Sequence, residues 1–71
     1  MERKRFGQRI LGIRRQKGMT QERSAELLDI SVDFLSVIER GINAPSFEAL
    51  EKMAKRLRME VRDLFDFSGD L

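Results

Sequence analysis

Apolar residues recur at helical spacing through almost the whole chain. Phe6, Ile10 and Ile13 stand four and three residues apart and predict a first helix from about Arg3 to Lys17. Gly18 follows where a left-handed C′ residue is expected. Gly12 sits less well inside that helix, at a cost of about 1 kcal/mol relative to alanine. Ala25, Leu28, Leu35 and Ile38 point inward on a helical grid, with a break at Asp29-Ile30-Ser31. Thr20 and Ser31 read as N-caps of two short helices, with Glu22 and Asp33 placed in their first turns, where the helix dipole favours acid. Gly41-Ile42-Asn43-Ala44-Pro45-Ser46 reads as a loop ending in a further cap, Ser46. Phe47, Leu50, Ala54 and Leu57 then repeat at 3, 4 and 3 and predict a fourth helix to about Arg58, and Val61, Leu64 and Phe65 a short fifth. No strand pattern, repeat or low-complexity tract interrupts the series. The expectation is one all-α domain of five helices spanning residues 1–71.

The middle of this pattern is the informative part. Two short amphipathic segments between Gln21 and Gly41 are joined by a turn of three to four residues, with small Ala25 inward where two helices would cross closely. A helix pair of that kind is a helix-turn-helix, and it makes double-stranded DNA the leading partner.

Composition narrows the picture. A chain of 71 residues buries only about 60% of its unfolded surface, so its core must pack efficiently or gain from a second subunit. Cysteine is absent, which removes disulfides and thiolate metal sites and fits a reducing compartment such as the cytoplasm. Histidine, tyrosine and tryptophan are absent too, so the usual general base near neutrality is missing and an enzyme is disfavoured. No apolar run is long enough to span a membrane or to serve as a signal peptide. No cofactor, metal or small-molecule ligand is expected. At this length there is also no room for a ligand-sensing domain, so a regulator of this kind would respond mainly to its own concentration.

The net charge of +2 conceals an asymmetry. Residues 1–23 hold eight Lys/Arg against Glu2 and Glu22, a net of +6, and the remainder carries a net of −4. A basic amino-terminal helix beside an acidic remainder suits a protein that turns one face to a polyanion, although solvation alone explains many single charges.

In order along the chain stand Phe6-Gly7, Arg14, Met19-Thr20-Gln21-Glu22, Ala25-Glu26, Ile30-Ser31, Leu35-Ser36, Ile38-Glu39-Arg40-Gly41 and Pro45-Ser46. They are followed by Leu50, Ala54, Leu57 and Leu64-Phe65. From about Phe6 to Phe65 this set resembles the Cro/C1-type (lambda-repressor-like) helix-turn-helix family, and small restriction-modification controllers and phage-type repressors have the same layout. Three features depart from the family: Ser24 where leucine is favoured, Asp29 where the turn commonly has glycine, and a third helix poor in the amides and arginines that usually read bases. Aspartate tolerates positive φ better than most residues, so the turn survives.

The resemblance implies that Gln21 and Asn43 touch DNA phosphates. Thr20 belongs to the same helix start, and Arg40 can either reach a phosphate or pair with a neighbouring acid. Such contacts position a protein without specifying sequence. Val32, Asp33, Phe34, Ser36 and Val37 are the candidate base-reading positions. Asp33 can accept from cytosine N4, and Val32 or Val37 can pack on thymine methyls. Each has a plainer alternative: Asp33 a first-turn dipole role, Phe34 a core or interface aromatic, Val37 an ordinary surface valine. Arg14 and Glu39 are implied to form a structural ion pair tying the first helix to the end of the third.

The function expected is a transcriptional regulator binding a palindromic operator as a homodimer. The alternative is a protein-binding module that reuses the fold, an antitoxin-like or anti-repressor subunit. The dimer is expected through helices 4 and 5 and the C-terminal tail, because Met53, Met59, Val61, Phe65 and Phe67 supply more apolar groups than one small core should absorb. The competing reading is that they only close the monomer's own core.

Overall fold

The computed structural model describes residues 2–68; Met1 and residues 69–71, the end of the expected domain and tail, lie outside them. Four α-helices follow one another: α1 (Arg3–Gln16), α2 (Gln21–Leu28), α3 (Val32–Glu39) and α4 (Phe47–Leu57). The expected fifth helix is a 3₁₀ helix over Val61–Phe65. No strand occurs among the described residues, and no helix among them is long and apolar enough to cross a membrane.

The local chemistry of the caps explains the boundaries. Thr20, Ser31 and Ser46 have extended backbones, and their hydroxyl oxygens accept from the N–H groups of Arg23, Phe34 and Ala49 at 3.1, 3.0 and 3.2 Å. Each thereby satisfies one of the N–H groups that a helix start leaves without a carbonyl. The carboxylate of Glu2 does the same for Lys4 N–H at 3.1 Å. Asp29 ends α2 in the left-handed region at φ 60°, as its short polar side chain allows. Arg58 ends α4 with φ 58° although it has no such help. Its N–H reaches the Lys55 carbonyl at 3.1 Å, and that of Met59 the Ala54 carbonyl at 2.9 Å, so the helix closes despite the residue type.

Every helix contributes to one core: Phe6, Ile10 and Ile13 from α1, Ala25 and Leu28 from α2, Leu35 and Ile38 from α3. From α4 come Leu50, Met53, Ala54 and Leu57, and Leu64 comes from the 3₁₀ helix. α1 packs on α3 and the 3₁₀ helix, α2 on α3 and α4, and α4 on the 3₁₀ helix. Gly7 is required where α1 crosses the end of α3. A methyl group there would stand 2.9 Å from the Glu39 carbonyl oxygen and closer still to that of Ile38. Gly41, at φ 75°, lets the loop after α3 lie on the first turn of α1, where a side chain would meet Lys4 Cα at 2.9 Å.

Three expectations for apolar residues need correction. Phe47, expected in the inward stripe of α4, is 66% exposed. It is the first residue of the helix, and a Cα–Cβ bond tilts toward the helix N-terminus, so its ring projects past the packed turns. The stripe that is buried runs Leu50, Met53, Ala54, Leu57, at the i, i+3, i+4, i+7 spacing of a core-facing helix. Met53 is consequently fully buried and is no part of a free surface. Phe67, expected to need a partner chain, meets the edge of Phe65 at 6.5 Å, and Phe65 stacks at a tilt on Phe6 at 5.2 Å. Phe65 packs on the core, and Phe67 is half-buried against Phe65. Met59 and Val61 remain only half-buried, on a groove of about 640 Å³ that they share with Glu48, Glu51, Lys52, Ala54 and Lys55 of α4.

Candidate nucleic-acid interface

The expected helix-turn-helix is formed by α2, the three-residue turn Asp29-Ile30-Ser31, and α3. Thr20 and Gln21 stand at the start of α2. Arg40 caps the C-terminal end of α3, and Asn43 lies in the loop beyond it. α3 itself carries the candidate reading positions. Asp33 is exposed, and Ser36 and Val37 are half-exposed. Val32 and Phe34 are half-buried and lean on the core, so much of their apolar surface is already used within the domain.

Each candidate phosphate-binding residue has a local setting. The Thr20 hydroxyl oxygen is occupied by Arg23 N–H. Arg40 is exposed, donates from Nε to the Ser36 carbonyl at 3.4 Å, and makes no ion pair among the described residues. Asn43 is exposed and uses its side-chain carbonyl to accept from Ala44 N–H at 3.1 Å, which leaves its NH₂ group as the donor. Gln21 is half-buried, and its Nε2 donates to Glu39 Oε1 at 3.1 Å.

That last contact joins a network the sequence showed only in part. Arg14 donates from Nε to Glu39 Oε2 at 2.8 Å and from Nη2 to Oε1 at 3.1 Å, with the two side chains 17% and 6% exposed. Its third nitrogen, Nη1, donates to the Met19 carbonyl at 3.2 Å. The hydrogen-bonded carboxylate of Glu39 holds the Arg14 guanidinium pKa above its ordinary value, against a smaller opposing effect of burial. One side chain of α1 thus fixes both the end of α3 and the segment leading into α2. The planar guanidinium fork suits this because it pairs both carboxylate oxygens at once.

Packing also decides which part of the basic α1 lies near the reading helix. Lys4 rests against Gly41, and Arg3 Nη1 donates weakly to the Ile42 carbonyl at 3.5 Å. The exposed side chains of Arg3 and Lys4 therefore flank the loop that carries Asn43. Sequence reasoning saw a basic helix but not which turn of it sits here. The close approach at Gly41 sets that, and a glycine after a helix predicts a cap rather than a neighbour.

Residues 10–64 match the pattern of the helix-turn-helix family. The chain is 39% identical over 64 residues to the control protein C.BamHI of Bacillus amyloliquefaciens, a match covering 89% of this chain and 79% of that protein. It is 41% identical over 64 residues to the uncharacterized HTH-type transcriptional regulator YazB of Bacillus subtilis, covering 90% and 93% respectively. Among solved structures, it superposes on the restriction-modification controller protein C.AhdI of Aeromonas hydrophila with a TM-score of 0.80 at 35% identity, over 87% of this chain and 94% of that one. With the helix pair and its ion pair in place, the chain belongs to the Cro/C1-type helix-turn-helix family of DNA-binding transcription regulators.

Proposed function

We propose that the protein acts in the cytoplasm as a homodimer on a palindromic operator, with α3 of each protomer in the major groove. The observation that carries this reading is the set of donors gathered at the C-terminal end of α3. Gln21, at the start of α2, reaches Glu39 there, Arg40 caps that end and Asn43 follows in the loop, while exposed Asp33 with half-exposed Ser36 and Val37 lie along α3 itself. Gln21, Arg40, Asn43 and the free N–H groups at the start of α2 hold phosphates; the α3 side chains read bases. Val32 and Phe34 contribute what surface the core leaves them.

Selection of bound duplexes from a random library tests the division of labour. Gln21→Ala weakens binding to all sequences alike. Asp33→Ala and Val37→Ala shift the preference at particular base pairs, by about 1–3 kcal/mol wherever a direct contact exists. Identical selected sites for the wild type and these two variants would mean that base readout does not lie on this face.

A dimer follows from the size of the reading surface, since one helix spans too few base pairs for useful specificity against genomic competitors. Two-fold symmetry places half-sites about 34 Å apart, one helical turn. The groove bounded by α4 and the half-buried Met59 and Val61 supports a second copy there. Sedimentation equilibrium at micromolar concentration is expected to give a dimer that Val61→Glu converts to monomer while its helical circular dichroism is kept. A wild-type monomer under those conditions removes this interface.

A second reading, a protein-binding module reusing the fold, is favoured by Ile42, in the loop after α3, and Phe47, at the start of α4, which are 55% and 66% exposed. A gel shift on random duplex at low and high salt separates the two, because only the regulator binds DNA with steep salt dependence.

A further inference from the structure

We infer that Glu39 is a positioning residue for DNA binding: with its charge taken up by Arg14, it holds the Gln21 amide so that a proton of Nε2 is presented to a phosphate. This rests on the reading of Gln21 as a phosphate contact. Three observations combine.

The first is orientation. A carboxylate has no proton to donate, so the Gln21 group facing Glu39 Oε1 at 3.1 Å must be its NH₂ and not its carbonyl. Left to itself, an amide at a helix start can turn either end outward, and the carbonyl end repels a phosphate. With one Nε2 proton bound to Glu39, the second remains for an acceptor outside.

The second observation is charge. A bare carboxylate next to a phosphate site would oppose binding. Here both Glu39 oxygens are taken by Arg14, at 2.8 and 3.1 Å, and the Glu39 side chain is 6% exposed. The carboxylate keeps its accepting geometry toward Gln21, while its charge is balanced by the Arg14 guanidinium.

The third is the backbone of the same helix start. Arg14 Nη1 holds the Met19 carbonyl at 3.2 Å, immediately before Thr20. The Thr20 hydroxyl occupies Arg23 N–H, leaving the N–H groups of Gln21 and Glu22 without an intrahelical carbonyl. Backbone donors and side-chain donor are thus set by a single cluster spanning α1, α2 and α3. The pair that ties the fold together also fixes the binding face.

The test is a double-mutant cycle on the full chain, read as affinity for a short duplex of mixed sequence at low salt. Wild type, Gln21→Ala, Glu39→Gln and the double variant are compared at a temperature where circular dichroism shows all four folded. Gln21→Ala is expected to lose roughly tenfold, the scale of a hydrogen bond to a charged group. Coulomb attraction alone has the removal of a carboxylate tighten binding to a polyanion. Positioning predicts the opposite: the amide of Glu39→Gln keeps a single acceptor oxygen, which the charged Arg14 fork takes, so this variant weakens binding by about the same factor as Gln21→Ala, and the double variant is little worse than either single one. Tighter or unchanged binding by Glu39→Gln, or losses that multiply in the double variant, overturns the inference while DNA binding itself stands. A wild type that fails to bind overturns the DNA-binding reading first, and the inference with it. Should Glu39→Gln melt below the assay temperature, Glu39→Asp replaces it. That variant keeps the charge for Arg14 but withdraws the oxygen from Gln21, and it is expected to show the same loss and the same non-additivity.

Discussion

Glu39→Ala is expected to destabilise the domain by about 3–5 kcal/mol, the cost of leaving one member of a buried pair alone. The substitution strands Arg14, whose side chain is 17% exposed and has only the Met19 carbonyl left as a partner. A domain of this size has roughly 4–11 kcal/mol of total stability, so this one change removes a large share of it. At about 4–8 °C per kcal/mol for small domains, thermal unfolding followed by circular dichroism should show a fall well beyond 10 °C. The raised pKa of Arg14 means that its contribution is fully present below the unfolded guanidinium value and is lost only as pH rises through the still higher folded value. Acidification to moderate pH therefore does not undo the guanidinium side of the pair, and the substitution is the cleaner probe. An unchanged melting temperature would mean that the pair contributes nothing net.

The parts of the fold that local chemistry governs were legible from the residues. Thr20, Ser31 and Ser46 cap where a hydroxyl before an amphipathic run should cap, and Asp29 turns left-handed where glycine is the usual choice. The inward sets of α1, α2 and α3 fell out of the spacing, because a 3.6-residue period leaves little freedom once a helix has a core side. Across α4 the spacing picks out Leu50, Ala54 and Leu57 but takes in Phe47 and leaves Met53 on the edge. Periodicity alone does not say that a first-turn side chain overhangs the end of its helix. Arg58 shows a different limit. Nothing in arginine announces a left-handed cap, which here follows from the chain having to leave α4 toward the 3₁₀ helix.

For the site, sequence and resemblance supplied the Arg14–Glu39 pair and Gln21 separately, the one as structural and the other as a phosphate contact. Only the folded arrangement joins them, since Gln21 at the start of α2 and Glu39 at the end of α3 meet at the end of the motif away from its turn. The half-buried state of Val32 and Phe34 was likewise beyond the pattern, because alternation within an eight-residue helix does not tell a core edge from a groove-facing surface.

The central claim is that this surface holds the phosphates of duplex DNA, and the second large effect follows from it. With about four phosphate contacts per protomer and two protomers per site, log K should fall with log salt at a slope near −7, and affinity should drop by about 10³–10⁵ between 50 and 200 mM salt. In the proposed interface these contacts come from Gln21, Arg40, Asn43 and the free N–H groups of α2, with Arg3 and Lys4 alongside. The decisive measurement is fluorescence anisotropy of a labelled duplex titrated with the full chain at several salt concentrations. Binding is expected to be tight at low salt and to decline steeply and linearly in the log–log plot; no binding at low salt, or an affinity flat across the series, would contradict a phosphate-holding surface.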